Sequence, residues 1–498
     1  MSGPRASDRA RSAVVIGGGL AGITASIALR EAGIGVTLLE ARPRLGGATS
    51  SFSRGELTVD TGQHVFLRCC TSYQELLGQL GVTGSVALQD RFDVTVLSPG
   101  RRARLRRSAL PAPLHLGRAL LGYRFLSLAE RLRVGQAALA LRGLDPAQPG
   151  LDGQRLGPWL RARGQDENAR RRLWDLFIVS SLNIDGDEAN VSLAATVLKT
   201  ALLSDSGAAD IGVPAVPLGD LHGRAAGRLL DRLGAQVRLG AKAAEVERGP
   251  DGGFRVRVAS GGDGTGDATA GGELIEADGV ILAVPAGPAA RLAGAAGVAG
   301  AARWDDLGTS PIVNVHAVYD RRVTNLPFAA AVGSPVQWVF DKTATSGLPA
   351  GQYLAISLTA ADSYVDVPAA ALRERFLPAL EDLFPAAAGA RVTDFFVTRE
   401  RRATFRQAPG CGALRPGAAT SLPGLLLAGA WTDTGWPDTM EGAVRSGRTA
   451  AQELIQELNP FHPSTSSSEY VGSQEEDEKG SLAPAEDGAC APAAGSPS

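Results

Sequence analysis

The sequence predicts an α/β fold in which the strands of one parallel sheet lie far apart along the chain. Ala13 to Glu40 reads as a strand, a glycine turn, a helix and a second strand. Two further buried-strand patterns, 279–284 and 425–429, follow much later. With 498 residues, 44% of them hydrophobic, the chain is longer than one typical domain and can bury a large core. We therefore expect a discontinuous Rossmann-like domain that carries an inserted α+β domain.

The glycine turn Gly17-Gly18-Gly19-Leu20-Ala21-Gly22 has the spacing of a dinucleotide site. Gly17 allows a sharp turn, Gly19 leaves room for a pyrophosphate, and Gly22 lets the helix pack close to the strand. Unpaired N–H groups at the start of that helix favour negative charge. Glu40, at the end of the second strand, is placed to accept hydrogen bonds from ribose hydroxyls, which disfavours NADP.

Three more blocks carry a resemblance to a known superfamily. The first runs from Arg42 through Leu45-Gly46-Gly47 to Asp60-Thr61-Gly62-Gln63-His64. The second pairs 237–246 with 277–285, and the third joins 425–437 to a helix that opens at Met440. In this order, after the glycine turn, the blocks resemble the FAD-dependent amine oxidase and phytoene desaturase superfamily. The resemblance implies FAD as the cofactor.

The resemblance also implies which residues hold FAD. In the relatives, the chain runs along the flavin after the second glycine pair, a backbone at the position of Ala243 touches adenine, and the last helix points its first amides at the flavin. The predicted cofactor-binding residues are Gly17, Gly19, Leu20, Ala21, Gly22, Glu40, Ala41, Arg42, Gly46, Gly47, Ala48, Gly62, Gln63, His64, Ala243, Gly429, Asp433, Met440, Glu441, Gly442, Ala443 and Val444. One departure is Ala430, where much of the superfamily carries an acid. We expect either that Asp433 or a water replaces that acid, or that the flavin binds less tightly.

Two segments, 62–77 and 432–443, resemble a narrower group, the bacterial hydroxysqualene dehydroxylases. This resemblance implies that the allylic hydroxyl of hydroxysqualene is replaced by a hydride from reduced flavin, which gives squalene. Hydroxide is a poor leaving group, so an acid must assist its departure. Water must be excluded, because it would capture an allylic cation. We therefore expect an apolar cavity beside the flavin.

His64 is the first candidate for the acid, because the loop that carries it passes the flavin in the relatives. The alternative is a structural histidine that bonds to nearby backbone. Asp60 is the second candidate, although a role in capping the turn at Thr61-Gly62 is simpler.

Four residues near the last block have two interpretations each. Asp433 either orders its turn or binds the cofactor, and Asp438 could be the N-cap of the last helix. Trp431 and Trp436 either wall the flavin and substrate or pack in the core.

Long insertions between the flavin blocks predict the domain organisation. The FAD-binding domain is expected in three parts, 12–79, 205–303 and 413–459. The substrate domain is expected in two, 80–204, mainly helical, and 304–412, with strands and a helix. Residues 259–272 read as a hairpin tip, and the polar tail 460–498 has too little apolar surface to fold.

Charge and composition exclude several function classes. The net charge of −2 gives no sign of nucleic-acid binding, and no metal-ligand spacing is present. The four cysteines do not form a disulfide framework, and neither a secretory signal nor a membrane-spanning run is found, so a cytoplasmic protein is expected. The segment Arg101 to Arg142 holds ten arginines and one acid among many leucines. It predicts contact with an anionic membrane surface, or else a solvated helical face.

Several functions stay open at this point. The first is reductive dehydroxylation of hydroxysqualene, a long isoprenoid. The second is a carotenoid or phytoene-type desaturase, which holds a similar substrate but moves electrons in the opposite direction. A non-catalytic carrier of prenyl lipids and a monoamine oxidase are further alternatives. A bound flavin would argue against the carrier, and amine turnover would reveal the oxidase. The oligomeric state and the electron donor are not predicted.

Overall fold

The computed structural model describes residues 11–259 and 272–459. The predicted tail, 460–498, and nearly all of the predicted hairpin tip lie outside these residues. The strands, in chain order, are β1 (Ser12–Ile16), β2 (Gly35–Glu40), β3 (Ser51–Arg54), β4 (Leu57–Asp60), β5 (Phe66–Leu67), β6 (Val86–Leu88), β7 (Asp93–Ser98), β8 (Arg101–Arg106), β9 (Ile211–Pro214), β10 (Gln236–Leu239), β11 (Ala243–Arg248), β12 (Phe254–Val258), β13 (Leu274–Ala277), β14 (Gly279–Leu282), β15 (Ser310–Tyr319), β16 (Phe328–Ala331), β17 (Trp338–Asp341), β18 (Gln352–Leu358), β19 (Val392–Thr404) and β20 (Leu425–Leu427).

The helices are given in the same order. They are α1 (Leu20–Glu31), α2 (Thr71–Gln79), α3 (Gly117–Gly122), α4 (Leu128–Arg142), α5 (Leu156–Arg161), α6 (Glu167–Ala169), α7 (Asp175–Leu182), α8 (Val191–Leu198), α9 (Ala225–Arg232), α10 (Ala286–Ala295), α11 (Thr343–Ser346), α12 (Ala369–Leu383), α13 (Cys411–Leu414) and α14 (Met440–Leu458). In the described part of the chain, none of them is both long and apolar enough to cross a lipid bilayer.

A five-stranded parallel sheet forms the core of the Rossmann-like region. Its strand order is β10-β2-β1-β14-β20, so strands far apart in sequence are neighbours. Val14 pairs with Val280 on one side of β1 and with Thr37 on the other. The strands β1, β14 and β20 are buried on both faces, which explains why their sequences are continuous apolar runs, whereas the edge strand β10 is partly exposed. Helices α1 and α14 pack on one face, where Ile23, Ile27 and Leu454 are buried.

A seven-stranded sheet forms the second region, in the order β19-β15-β18-β17-β16-β7-β8. All its strands fall in the segments predicted as the substrate domain, so we call it the substrate sheet and its surroundings the substrate region. Neighbouring strands are antiparallel except for the parallel pair β16 and β7. Helix α12 covers one face, and its Leu372, Phe376 and Leu380 are fully buried there. The opposite face packs against the β3–β4 hairpin, where Val59 and Tyr353 share a small core. This second face therefore looks toward the Rossmann-like region.

The substrate region differs from its sequence-based prediction in one segment. Strands β7 and β8 lie in the segment that we predict as mainly helical, and they extend the seven-stranded sheet. In the same segment, helices α3 and α4 are separated at Tyr123, which is fully buried and whose hydroxyl donates to the Arg172 carbonyl. Helix α4 then begins after Ser127. The side chains of Ser127 and Glu130 form a capping box at its start.

Candidate functional site

The first glycine turn packs so closely that two of its glycines are required by geometry. A Cβ on Gly17, which has φ of +112°, would lie 2.2 Å from the Ala283 carbonyl oxygen. A Cβ on Gly22 would lie 1.8 Å from the Gly17 carbonyl oxygen. Neither approach is possible for a real side chain, so these glycines hold β1, α1 and β14 together. Gly19 is different, because a Cβ there would meet nothing closer than Gly47 Cα at 4.0 Å.

The start of α1 offers free donors beside Gly19. Gly19 is the N-cap but has no side chain to accept a hydrogen bond, and the first turn carries no acid. Among the described residues, none accepts from the N–H groups of Leu20, Ala21 or Gly22, and the first intrahelical bond is made by Ile23. Three free N–H groups at the positive end of a helix, next to open space, form an anion site. These residues fit a diphosphate.

Glu40 lies next to this anion site. The side chain is buried, and its two oxygens accept from the N–H groups of Gly18 and Arg42, each at 2.7 Å. A carboxylate offers about four acceptor positions, so two remain for hydroxyl donors. The Ala241 N–H donates to the Glu40 carbonyl oxygen, and the Gly240 N–H donates to that of Arg42. Ala243, at the start of β11, follows two residues after Ala241. The ribose and adenine contacts of Glu40, Ala41, Arg42 and Ala243 stay predictions.

The second glycine pair is joined to the first turn. Gly46 donates to the Gly18 carbonyl oxygen at 2.8 Å, and Gly46 and Gly47 have φ of +107° and +55°. Ala48, which follows them, is exposed. The hydroxyls of Thr49 and Ser50 donate to the carbonyls of the two glycines. The second pair therefore forms the opposite wall of the anion site.

His222 supports this wall and was not identified from the sequence. Its Nε2 lies 2.7 Å from the Tyr73 hydroxyl, and its Nδ1 lies 3.2 Å from the Thr49 carbonyl oxygen. Burial lowers the pKa of His222 to about 4. The neutral ring therefore donates from Nδ1 to Thr49 and accepts the Tyr73 proton at Nε2.

The loop that carries His64 faces the substrate sheet. The imidazole lies over Gly62, where an added Cβ would be 2.8 Å from His64 Cε1. Burial lowers the pKa of His64, and its Nδ1 has no hydrogen-bond partner among the residues described. A small cavity separates this loop from β17. It is lined by Asp60, Gln63, His64, Val65, Val213, Pro214, Leu218, Pro327, Phe340, Asp341, Lys342 and Thr345.

The expected turn-capping role of Asp60 is wrong. Its carboxylate accepts from Ser51 Oγ at 2.6 Å and from the Leu218 N–H at 2.9 Å. The other oxygen lies 2.9 Å from Lys342 Nζ, and both side chains are almost completely buried. The turn itself is held by Thr61 and Ser50 instead. Asp60 thus joins its loop to the seven-stranded sheet, and both carboxylate oxygens are engaged in these structural contacts.

Arg415 organises the loop after β20. The buried guanidinium donates to the carbonyls of Ala430 at 3.1 Å, Trp431 at 3.3 Å and Trp436 at 2.8 Å, and also to that of Thr432. Sequence reasoning missed this arginine. Gly429, before the loop, has φ of +143° and donates to Ser446 Oγ at 2.8 Å.

The two tryptophans of this loop differ. Trp431 is buried against Trp304 and donates to the Val284 carbonyl, so it is a core residue. The half-buried Trp436 lies under the Arg445 guanidinium, 4.6 Å from the ring centroid. Asp433 is exposed and accepts from the Gly435 N–H, which orders the turn. A cofactor contact of Asp433 in place of the missing acid at Ala430 stays a prediction.

The expected N-cap role of Asp438 is also wrong, because Thr439 caps α14. The Thr439 hydroxyl accepts from the Gly442 N–H at 3.2 Å. Asp438 lies one residue too early and accepts from the Phe405 N–H at 2.8 Å. Burial raises the pKa of Asp438 to about 6.

Glu441 also has an unexpected partner. Its buried carboxylate accepts from the N–H groups of Ser72 and Tyr73, which begin α2, and from Arg445 Nε at 2.7 Å. The side chain is therefore directed at α2, and a cofactor contact is left only to its backbone. Contacts of Met440, Gly442, Ala443 and Val444 with the flavin stay predictions.

Aromatic and apolar side chains cover the inner face of the substrate sheet. Phe328, Trp338 and Phe340 pack with ring centroids 6.3 to 6.4 Å apart. Asn314 lies in the same cross-strand row as Ser357 and Trp338. Asn314 is fully buried, and neither atom of its amide has a partner in the described part of the chain. An unpaired buried amide costs about 1–3 kcal/mol, so it indicates a place for a ligand or a water.

The comparisons with known proteins agree with this geometry. A model of the family described as flavin containing amine oxidoreductase matches residues 20–455. A hydroxysqualene dehydroxylase from Sinorhizobium fredii is 30% identical over 464 residues, which cover 89% of this chain and 98% of the relative. A 15-cis-phytoene desaturase from Narcissus pseudonarcissus is 25% identical, and the match covers 92% of this chain and 81% of the relative.

A solved structure supports the fold. Cyclohexylamine oxidase from Brevibacterium oxydans superposes with a TM-score of 0.68 at 19% identity, covering 91% of this chain and 100% of that protein. The predicted fold class and the predicted FAD cofactor are both confirmed. The chain belongs to the flavin-containing amine oxidoreductase family and is an FAD-dependent oxidoreductase.

Proposed function

We propose that this enzyme replaces the allylic hydroxyl of hydroxysqualene with hydrogen, giving squalene and water. The observation that carries the proposal is the match to a hydroxysqualene dehydroxylase over nearly its whole length. Bound reduced FAD supplies the hydride, and one proton converts the departing hydroxide to water. The C–O bond breaks, a C–H bond forms, and the flavin is oxidised by two electrons.

The inner face of the substrate sheet suits a long isoprenoid. Phe328, Trp338 and Phe340 make this face apolar and aromatic, and aromatic faces also stabilise a nearby cation. This property favours a reaction that passes through an allylic cation. The same apolar side chains exclude water, which would return the cation to the alcohol.

His64 is the proposed proton donor, because it lines the cavity between the flavin-side loop and Phe340. Burial lowers the pKa of its imidazole, so the protonated ring is a strong acid that is scarce at neutral pH. The Asp60–Lys342 pair fixes the position of the loop on one side of His64. Asp438 is the competing donor, because its pKa is raised to about 6.

The decisive experiment is anaerobic incubation of the dithionite-reduced holoenzyme with hydroxysqualene. We expect the flavin absorption to return as squalene appears, in equal amounts. Phytoene and a primary amine are tested in parallel with the oxidised enzyme. Desaturation of phytoene, or oxidation of the amine with peroxide release, in the absence of squalene formation would reject the proposal.

The pH profile identifies the donor. If His64 donates, kcat/KM rises as the pH falls below 6.5, because the protonated imidazole becomes more abundant. His64→Gln should remove this rise and lower kcat by about 10²–10⁴-fold, whereas Asp438→Asn should keep it. The opposite result, with the rise lost only in Asp438→Asn, would assign the donor role to Asp438.

A further inference from the structure

Exposed leucines are concentrated in one short segment of the described chain. Eight large apolar side chains are well exposed among the described residues, and six of them lie between residues 110 and 139. These six, which we call the leucine stripe, are Leu110, Leu114, Leu121, Leu128, Leu132 and Leu139, each between 52% and 61% exposed. Single exposed leucines are ordinary, but a cluster of this kind marks an interaction surface.

Helix α4 shows how the stripe is built. Leu128, Leu132 and Leu139 are spaced by four and seven residues, so they lie in one row along the helix. Val134, Ala137 and Leu141 lie on the opposite side and are buried. The helix is therefore apolar on two faces, and only one of them contacts the protein core.

The stripe continues from α4 onto α3. Arg131 donates to the Leu121 carbonyl at 2.6 Å and to the Leu126 carbonyl at 2.9 Å, which fixes the two helices side by side. Leu121 lies in the last turn of α3, and Leu114 lies in the turn before that helix. The exposed leucines thus belong to two neighbouring helices that Arg131 joins.

Positive charge surrounds the stripe. Six exposed arginines of this segment form no ion pair with any described residue: Arg101, Arg102, Arg118, Arg124, Arg133 and Arg142. By contrast, Arg104 and Arg106 are paired with Asp93, and Arg107 with Asp210. Glu130 is the one acid in the segment, and it is held by the Ser127 N–H and by Asn168. The leucine stripe is therefore bordered by unneutralised cations.

We propose that the leucine stripe docks on an anionic lipid bilayer. Exposed leucines between unpaired arginines match the acyl region and the headgroups of such a surface. A second copy of the chain is a poorer partner, because it would bring like charges together. The proposal deepens the proposed function, since a water-insoluble isoprenoid is supplied from lipid, but the surface itself is argued without reference to the reaction.

The test is sedimentation of the FAD-loaded full chain with two kinds of vesicle, pure phosphatidylcholine and phosphatidylcholine mixed with phosphatidylglycerol. We expect stronger binding to the anionic vesicles, weakened by salt. Leu128→Ser/Leu132→Ser should weaken binding at least about tenfold per leucine. Arg118→Gln/Arg142→Gln should weaken binding to anionic vesicles by roughly fivefold per charge and leave binding to neutral vesicles unchanged.

The matched control is Leu239→Ser/Leu274→Ser, which alters the two well-exposed leucines outside the stripe. This variant should bind vesicles like the wild type. The proposal is overturned if the wild type does not bind anionic vesicles, if the control loses as much binding as the stripe variant, or if the stripe variant only converts a dimer to a monomer. Vesicle binding without squalene formation would instead reject the proposed reaction and leave the surface standing.

Discussion

The two helices that pack on one face of the parallel sheet, α1 and α14, begin in opposite ways. At α1 the N-cap is Gly19, the first turn has no acid, and three N–H groups face open space. At α14 the Thr439 hydroxyl caps the helix, and Glu441 is buried against α2. At α1 no side chain of the described residues accepts any of the first N–H groups, whereas at α14 the Thr439 hydroxyl accepts one of them. The comparison indicates that the N-cap residue decides whether a helix start is free to bind a ligand or is held by contacts within the protein.

The largest effect is expected at the bare helix start. Gly19→Asp should weaken FAD binding at least about a hundredfold, because the carboxylate would accept the N–H groups and repel the diphosphate. Aspartate is a good N-cap, and Gly19 has φ of −77°, so the apoprotein should be as stable as the wild type or more so. Kd is measured by flavin fluorescence, and stability by urea unfolding without FAD.

Thr439→Asp is the matched control for Gly19→Asp, because it places the same carboxylate at the start of α14. FAD affinity should then fall less than in Gly19→Asp, since Thr439 already caps the helix and the free donors assigned to the diphosphate belong to α1. If FAD affinity fell equally in the two variants, both helix starts would bind the negative charge of the cofactor. The proposed difference between α1 and α14 would then be wrong.

The second effect tests how closely the two helices approach each other. A Cβ on Gly447 of α14 would lie 2.2 Å from the Ala21 carbonyl oxygen of α1. Gly447→Ala should therefore lower the free energy of unfolding by about 1–3 kcal/mol. Gly135→Ala in α4 should raise it by about 0.5–1 kcal/mol, because that position is open and alanine favours helix. If the two substitutions changed stability in the same direction, close packing at Gly447 would be refuted.

The third effect concerns the tie between α14 and α2. Glu441→Gln keeps the shape of the side chain but removes the charge that holds Arg445 and two N–H groups of α2. The free energy of unfolding should fall by about 1–2 kcal/mol. Asp433→Asn, at an exposed position in the preceding loop, should cost less than about 0.5 kcal/mol. If both variants lost the same free energy of unfolding, the Glu441 contacts would contribute no more to stability than an exposed loop side chain does.

The contrast between the helices also explains how far the sequence could predict the structure. The α1 region was predictable because each requirement is local, from the turn at Gly17 to the acid at Glu40. The α14 cap was misassigned by one residue, since Asp438 and Thr439 are both good caps and only backbone geometry separates them.

Long-range pairs left no local signal. Asp60 and Lys342 lie far apart in the sequence and meet across the two regions. Arg415 donates to backbone carbonyl groups, which no residue type marks in a sequence. Strand β8 does have a sequence pattern of its own, although it lies in the segment that we predict as mainly helical. Arg102, Arg104 and Arg106 alternate with Ala103 and Leu105, and Leu105 is buried. This is the period-two pattern of an edge strand with charged outer positions.

The smallest effect is expected at the Thr439 cap itself. Thr439→Ala removes the acceptor for the Gly442 N–H and should lower the free energy of unfolding by about 1 kcal/mol. Thr439→Ser keeps the hydroxyl and should restore most of that loss. FAD affinity should stay nearly constant in both variants, because the free donors that we assign to the diphosphate belong to α1. If Thr439→Ala instead lost as much FAD affinity as Gly19→Asp, the cap at α14 would help to position the cofactor. The start of α14 would then have a binding role as well as a structural one.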